Sequence, residues 1–255
     1  MKNLYLKLIK GMIFLTLLVS TVETKGQTEI TAVDPVAVEI LQGSLDLLSN
    51  LTQFSVQAQS TLEDMLDSGH RVDFEMSSSV TVSRPNKLHA ERHGELFNQI
   101  FYYDGSTLTL YNPSDKVYAN EPAPETIDEM LHFARDKFGL GAPVSDLIYN
   151  NAFSLLMDEV NFAVVIGKEM IGEVYCNHLL FSRPGVDFQI WIADNVTQLP
   201  MKLVVTDTAT PENLSFTTVM RNWDIAPEVS ESLFNFVPPK GTVKITFLKT
   251  DQSGK

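Results

Sequence analysis

The chain has a single cysteine, Cys176, among 255 residues. One thiol cannot close an internal disulfide, so the fold must rest on its packed core alone. A chain of this length can bury enough surface to do that. A lone Cys in an apolar-rich strand is ordinarily a small buried hydrophobe. Basic residues are also scarce: 19 Lys and Arg stand against 32 Asp and Glu, a formal net charge of −13. That surface repels phosphate backbones and anionic headgroups. It argues against nucleic acid as a partner and against electrostatic attachment to a membrane. Beyond the first 22 residues there is no long apolar run, so no integral membrane segment is expected in the mature chain.

Catalytic signatures are missing as well. The sequence has no Gly-x-Ser-x-Gly elbow, Walker loop, Gly-rich dinucleotide fingerprint or Cys-x-x-Cys pair. His89 and His93 are the one close histidine pair. They fall in a segment that reads as a strand, where four residues span about 13 Å, too far for one metal ion. Cys176 and His178 share a strand face about 7 Å apart, whereas a nucleophile and its base need about 3 Å. His70 and His132 have no evident partner. Glu63, Asp64 and Asp67 bracket a loop and read as a solvated face. Asn50, Asn195 and Asn213 begin short glycosylation patterns, which matter only in a eukaryotic secretory pathway. No catalytic residue, metal or cofactor is assigned, and the protein is not expected to be an enzyme.

The N-terminus is more informative. Lys2, Lys7 and Lys10 precede a neutral stretch from Gly11 to Val22. At about twelve residues this stretch is too short to cross a bilayer, which takes about twenty. The order of basic head, short apolar run and small-residue exit is that of a signal peptide, residues 1–26, with a cut near Gly26. No Cys follows the run, so lipidation at a Cys is not expected. Cleavage would take away four Lys and one Glu and move the formal charge from −13 to −16.

The remainder reads as α+β, mostly β. Asp34-Pro35 opens a helix, with Val38, Leu41, Leu45 and Leu48 on one face through about Ser49. Period-two alternation then predicts strands over 54–62, 71–83, 88–93, 96–103, 106–111 and 116–119. Asp104-Gly105 is a hairpin turn. A helical insert spans 124–158, with its main helix over 124–138 and two short ones over 144–150 and 152–157. Strands follow near 160–169, 171–182, 186–194, 199–208 and 213–223. A short helix over 228–233 and an extended piece over 242–248 close the chain. Residues 27–248 read as one domain, and 249–255 as a loose tail.

Three segments resemble a known family. Arg84-Pro-Asn-Lys-Leu-His-Ala-Glu91 resembles the Arg-Pro-x-x-hydrophobic strand entry of LolA-like proteins, the periplasmic carriers of outer-membrane lipoproteins. Tyr103-Asp-Gly-Ser-Thr-Leu-Thr-Leu-Tyr-Asn-Pro113 is similar to their Asp-Gly-x-x-Leu-Trp-Leu-Tyr-x-Pro hairpin, with Thr109 where the family has Trp. Leu233-Phe-Asn-Phe-Val-Pro-Pro-Lys-Gly241 resembles their closing Phe-x-Phe-x-x-Pro-x-Gly. The larger insert makes the chain more similar to an offshoot family of predicted periplasmic proteins of unknown function. The resemblance implies an incomplete antiparallel β-barrel of about ten or eleven strands. Helices would cover its concave face, above a hydrophobic cavity that holds acyl chains in the carriers. It also implies a periplasmic location.

The strands support a cavity independently. Phe97, Phe101 and Tyr103 share one strand face, with Ile100 and Tyr102 opposite. Phe74 pairs with Met76, and Phe188 with Ile190 and Ile192. Apolar residues on both faces mean that both are covered or that one lines a cavity. The candidate ligand-binding residues are Phe74, Met76, Phe101, Tyr103, Phe188 and Ile190 from the strands. Met130, Leu131, Phe153 and Met157 join them from the insert as a lid, where Met adapts to varied apolar ligands. The expected function is a periplasmic binding or carrier protein for a lipophilic ligand, whether an acyl chain, a lipid or a lipoprotein. The alternative is a non-enzymatic module on the same fold that senses envelope stress or binds an envelope protein partner.

Overall fold

A computed structural model of the chain describes residues 32–96, 98–140 and 143–247. The expected signal peptide, the tail 249–255 and Phe97 lie outside the described residues.

Helix α1 (Pro35–Asn50) starts where the sequence predicts. The Asp34 carboxylate accepts a hydrogen bond from the Val36 N–H at 2.9 Å, and Pro35 takes the first helical position. Both features favour a helix start. Gly43 sits mid-helix, and a Cβ there would meet the Gln198 side chain at 2.7 Å. The helix thus tolerates a poor former because a neighbour packs against its bare backbone.

Among the described residues twelve strands make one sheet: β1 (Gln53–Met65), β2 (Arg71–Ser83), β3 (Lys87–Gly94), β4 (Asn98–Tyr103), β5 (Thr107–Asn112), β6 (Val117–Pro122), β7 (Phe162–Ile171), β8 (Val174–Arg183), β9 (Val186–Ala193), β10 (Pro200–Asp207), β11 (Ser215–Asp224) and β12 (Val243–Lys244). Their order is β12-β6-β5-β4-β3-β2-β1-β11-β10-β9-β8-β7. The ends do not pair with each other, so the sheet is an open half-barrel. It consists of two antiparallel meanders, β1–β6 and β7–β11, joined where β1 pairs with β11. The expected open antiparallel sheet of about ten or eleven strands is observed, with eleven antiparallel strands and one short addition. The twelfth strand, β12, is a two-residue piece running parallel to β6. The turn expected after residue 169 also moves: β7 runs to Ile171, and Gly172, at φ 62°, makes the turn.

The insert forms α2 (Ile127–Phe138), a 3-10 turn over Pro143–Leu147 and α3 (Ala152–Met157). Helix α2 begins three residues later than the predicted 124, because Thr126 is its cap. The Thr126 hydroxyl accepts from the Glu129 N–H at 3.2 Å and donates to the Glu129 carboxylate at 3.0 Å, which satisfies one of the free N–H groups at the helix start. Gly139 ends it in the left-handed conformation at φ 65°, a role that suits a residue with no Cβ. The short helix expected over 228–233 is a 3-10 turn at Glu231–Phe234.

The helices all lie on one face of the sheet and divide it between two cores. Helix α1 covers the β7–β11 half, where Leu41, Leu45 and Leu48 pack with Leu179, Phe181, Phe188 and Ile190. The Phe181 and Phe188 rings stack at 4.9 Å. Helix α2 covers the β2–β5 half, where Ile127 and Met130 pack with Val82, Leu88, Tyr103 and Leu108. Each fully buried side chain of this size contributes roughly 2 kcal/mol. The C-terminal segment covers part of the opposite face. Its Phe236 ring lies against Tyr102, Tyr111 and Tyr118 at 4.9 to 5.3 Å. The segment then runs as β12 along the edge of β6, and Phe247 stacks on Phe138 of α2 at 4.3 Å.

Candidate functional site: a cavity beneath α2

Strand pairing places Val56, Ala58, Ser60 and Leu62 of β1 on the helix-bearing face. Beside them in register stand Met76, Ser78 and Val80 of β2, then Leu88, Ala90 and Arg92 of β3, then Phe101 of β4. Ala58 faces Ser78 across β1 and β2, and Val80 faces Ala90 across β2 and β3. Above these small inward side chains, Met130, Leu131, Ala134 and Arg135 of α2 roof a cavity of about 270 Å³. Val144, Ser145, Ile148 and Tyr149 close one flank, and Phe216 of β11 another. The volume is near the lower end for small-ligand pockets. The wall is apolar apart from Ser60, Ser78, Ser145, Tyr149 and three charged residues, Glu91, Arg92 and Arg135.

The candidate residues separate into three groups. Met76, Phe101, Met130 and Leu131 line this cavity. Phe74 is half-buried one inward position beyond Met76, opposite Leu62 of the cavity wall. Tyr103, Phe188 and Ile190 are buried in the two cores, and Phe153 and Met157 pack at the margin of the α1 core. Tyr103 is fully buried, and its hydroxyl donates to the Pro124 carbonyl. Burial and the nearby acid Asp104 push its ionisation up to about 12. The small residues Ala58, Ser60, Ser78, Ala90 and Ala134 were not selected from the sequence. For the four strand residues the available signal was their recurrence at inward positions, where a filled core would carry larger groups.

The polar members of the wall are held in place. The Arg92 Nε and Nη2 both donate to the Gln99 Oε1, the former at 2.7 Å. Its guanidinium lies over the Phe101 ring at 5.2 Å. Burial lowers the Arg92 pKa from its ordinary value. Arg135 donates to His132 Nδ1 at 2.9 Å and to the Tyr149 hydroxyl at 3.1 Å. It also approaches the Asp146 carboxylate at 3.6 Å. Burial raises the Asp146 pKa, and Arg135 opposes the rise.

The other strand histidines lie elsewhere. His89, Glu91 and His93 alternate onto the opposite face of β3. There the Glu91 carboxylate meets His93 at 3.2 Å and His89 at 3.7 Å. His178 stacks on Trp191 at 4.0 Å, and the Trp191 indole N–H donates to Glu169 at 2.6 Å. Cys176 is fully buried on the same strand, with its thiol directed to the Val174 carbonyl. Among the described residues no group of three His, Cys, Asp or Glu is disposed to hold a metal ion. No helix among them is long and apolar enough to cross a membrane.

The sheet is thus an open half-barrel with helices on one face and an apolar cavity beneath α2. Residues 37–248 match the family described as "Predicted periplasmic protein (DUF2092)", and the chain belongs to it. Among solved structures, an uncharacterized conserved protein from Thermus thermophilus is similar at TM-score 0.49 and 11% identity, covering 82% of this chain and 99% of that one. LprF from Mycobacterium bovis is similar at TM-score 0.47 and 13% identity, with coverage of 83% and 99%. The LolA superfamily protein NE2245 from Nitrosomonas europaea is similar at TM-score 0.39 and 10% identity, with coverage of 78% and 97%. No curated protein matches the chain.

Proposed function

We propose that this protein binds a lipophilic ligand in the cavity beneath α2 and serves as a periplasmic binding or carrier protein. The observation that carries the reading is the cavity itself, about 270 Å³ with a mostly apolar wall. An apolar ligand entering it would cover that wall and remove apolar surface from water, at roughly 25 cal/mol per Å². The periplasmic assignment rests on the basic-then-apolar N-terminus and on the family's description. The sparse polar lining favours binding over catalysis.

The test is uptake of a hydrophobic fluorophore such as N-phenyl-1-naphthylamine, together with native mass spectrometry of the purified protein. The expected result is saturable binding by the wild type. Ala90→Phe, which fills the cavity from β3, should abolish it without loss of the β-sheet circular-dichroism signal. A wild type that takes up no fluorophore and carries no ligand would sink the proposal.

A further inference from the structure

We propose that the cavity carries a pH-sensitive clasp: protonation of His132 parts α2 from the flank over 143–149 and weakens the hold on the ligand. This inference rests on the cavity reading above and adds its regulation. Arg135 of α2 is the centre of the clasp and lines the cavity. It donates to the His132 Nδ1 at 2.9 Å and to the Tyr149 hydroxyl at 3.1 Å. Its guanidinium also lies 3.6 Å from the Asp146 carboxylate. Tyr149 lines the cavity too, and its ring packs on His132 at 4.9 Å. The clasp thus ties the roof of the cavity to one of its flanks. The Arg135 side chain is 45% exposed, so the clasp is open to the bulk solution.

The geometry fixes the protonation state that closes the clasp. A guanidinium has donors and no acceptor, so the His132 Nδ1 must offer its lone pair. The closed arrangement therefore holds a neutral His132. Histidine takes up its proton between about pH 8 and pH 5. A proton on Nδ1 removes the acceptor and sets two cations at contact distance. Asp146 is the acid that faces the pair from the 3-10 turn, and burial raises its pKa. Acidification thus also weakens the charge that would hold the two cations together. Arg183 of β8 acts on Asp146 as well, while donating to the Leu155 and Asp158 carbonyls. On α2, Asp128 and Asp136 lie one turn to either side of His132. The Asp128 carboxylate accepts from the Asn150 N–H at 3.1 Å, and Asp136 is exposed to water.

The test titrates N-phenyl-1-naphthylamine, which stays uncharged throughout, into the protein at pH 8 and pH 5.5, well below its unfolding temperature. The wild type should bind about tenfold more weakly at pH 5.5, the size of one lost hydrogen bond to a charged group. In His132→Gln the amide oxygen still accepts from Arg135 but takes up no proton, so the affinity should change by less than about twofold. His89→Gln, on the outer face, should keep the wild-type profile. Hydrogen exchange of the ligand-free wild type, corrected for its intrinsic pH dependence, gives a second readout. Helix α2 should lose protection at pH 5.5 while α1 keeps it. Equal wild-type affinity at both pH values, or the full pH dependence persisting in His132→Gln, would overturn the clasp and leave the cavity reading standing. Equal loss of protection in α1 and α2 would do the same. Failure of the wild type to bind at either pH would overturn both. The exchange comparison stands even where a variant fails to fold.

Discussion

The Ser60 hydroxyl donates to the Thr218 hydroxyl at 2.9 Å, both buried, at the seam where β1 joins the two halves of the sheet. Ser60 also lines the cavity. Ser60→Ala leaves the Thr218 hydroxyl buried beside a methyl group and should cost about 1–3 kcal/mol. The double variant Ser60→Ala/Thr218→Val removes both polar groups and should recover most of that loss. Urea denaturation of the three proteins checks this. A double variant as unstable as the single would show that the pair is not the source of the cost.

Leu41 of α1 is fully buried in the core against β7–β11. Leu41→Ala removes most of a side chain from a packed interior and should cost about 2–5 kcal/mol. The same truncation at Leu131, which borders the cavity, should cost less, because one side of that residue already faces open volume. Comparable losses at both positions in denaturant titrations would contradict a cavity beneath α2.

Phe236 ties the C-terminal segment to the outer face through Tyr102, Tyr111 and Tyr118. Phe236→Ala should cost about 1–3 kcal/mol, less than for a fully buried Phe. It should also expose 237–247 to proteases before the sheet unfolds, because β12 contributes only two residues to the edge of β6. Limited proteolysis with mass mapping reads this directly. A cleavage pattern like that of the wild type would mean that β12 holds without Phe236.

His89 and His93 flank Glu91 on the outer face but respond oppositely to pH. Burial lowers the His89 pKa, whereas the hydrogen bond to Glu91 raises that of exposed His93. His89 leaves stability intact above its unfolded value near 6.5 and withdraws it as pH falls below that value. His93 contributes below its unfolded value and loses the contribution as pH rises through its folded one. Exposure screens the His93 effect, so His89 should dominate. Thermal stability should therefore fall between pH 7 and pH 5, and His89→Gln should flatten that fall. An unchanged pH slope in His89→Gln would assign the effect to other groups.

Much of the architecture was legible along the chain because its signals are local. Asp34-Pro35 marks a helix start and Asp104-Gly105 a hairpin turn wherever they occur, and the alternation in β2 needs no partner to be seen. Boundaries slipped where a cap or turn outranked the surrounding pattern. Thr126 moved the start of α2 from 124 to Ile127, and Gly172 set the β7–β8 turn. The extended piece that contains β12 was legible, but its pairing with β6 was not, because that depends on where a distant edge lies.

For the cavity, the sequence alone showed that apolar residues occupy both faces of several strands, which calls for cover on each. It could not divide those residues between core and cavity. Tyr103 and Phe101 share one face of β4, yet Tyr103 is sealed beneath α2 while Phe101 borders open volume. That difference was decided by tertiary structure. Ala58, Ser78 and Ala90, from three strands, come together only once the register is set, and the space they leave is a property of their neighbours rather than of any one residue. Arg92 and Arg135 meet the same cavity for the same reason, from a strand and a helix more than forty positions apart in sequence.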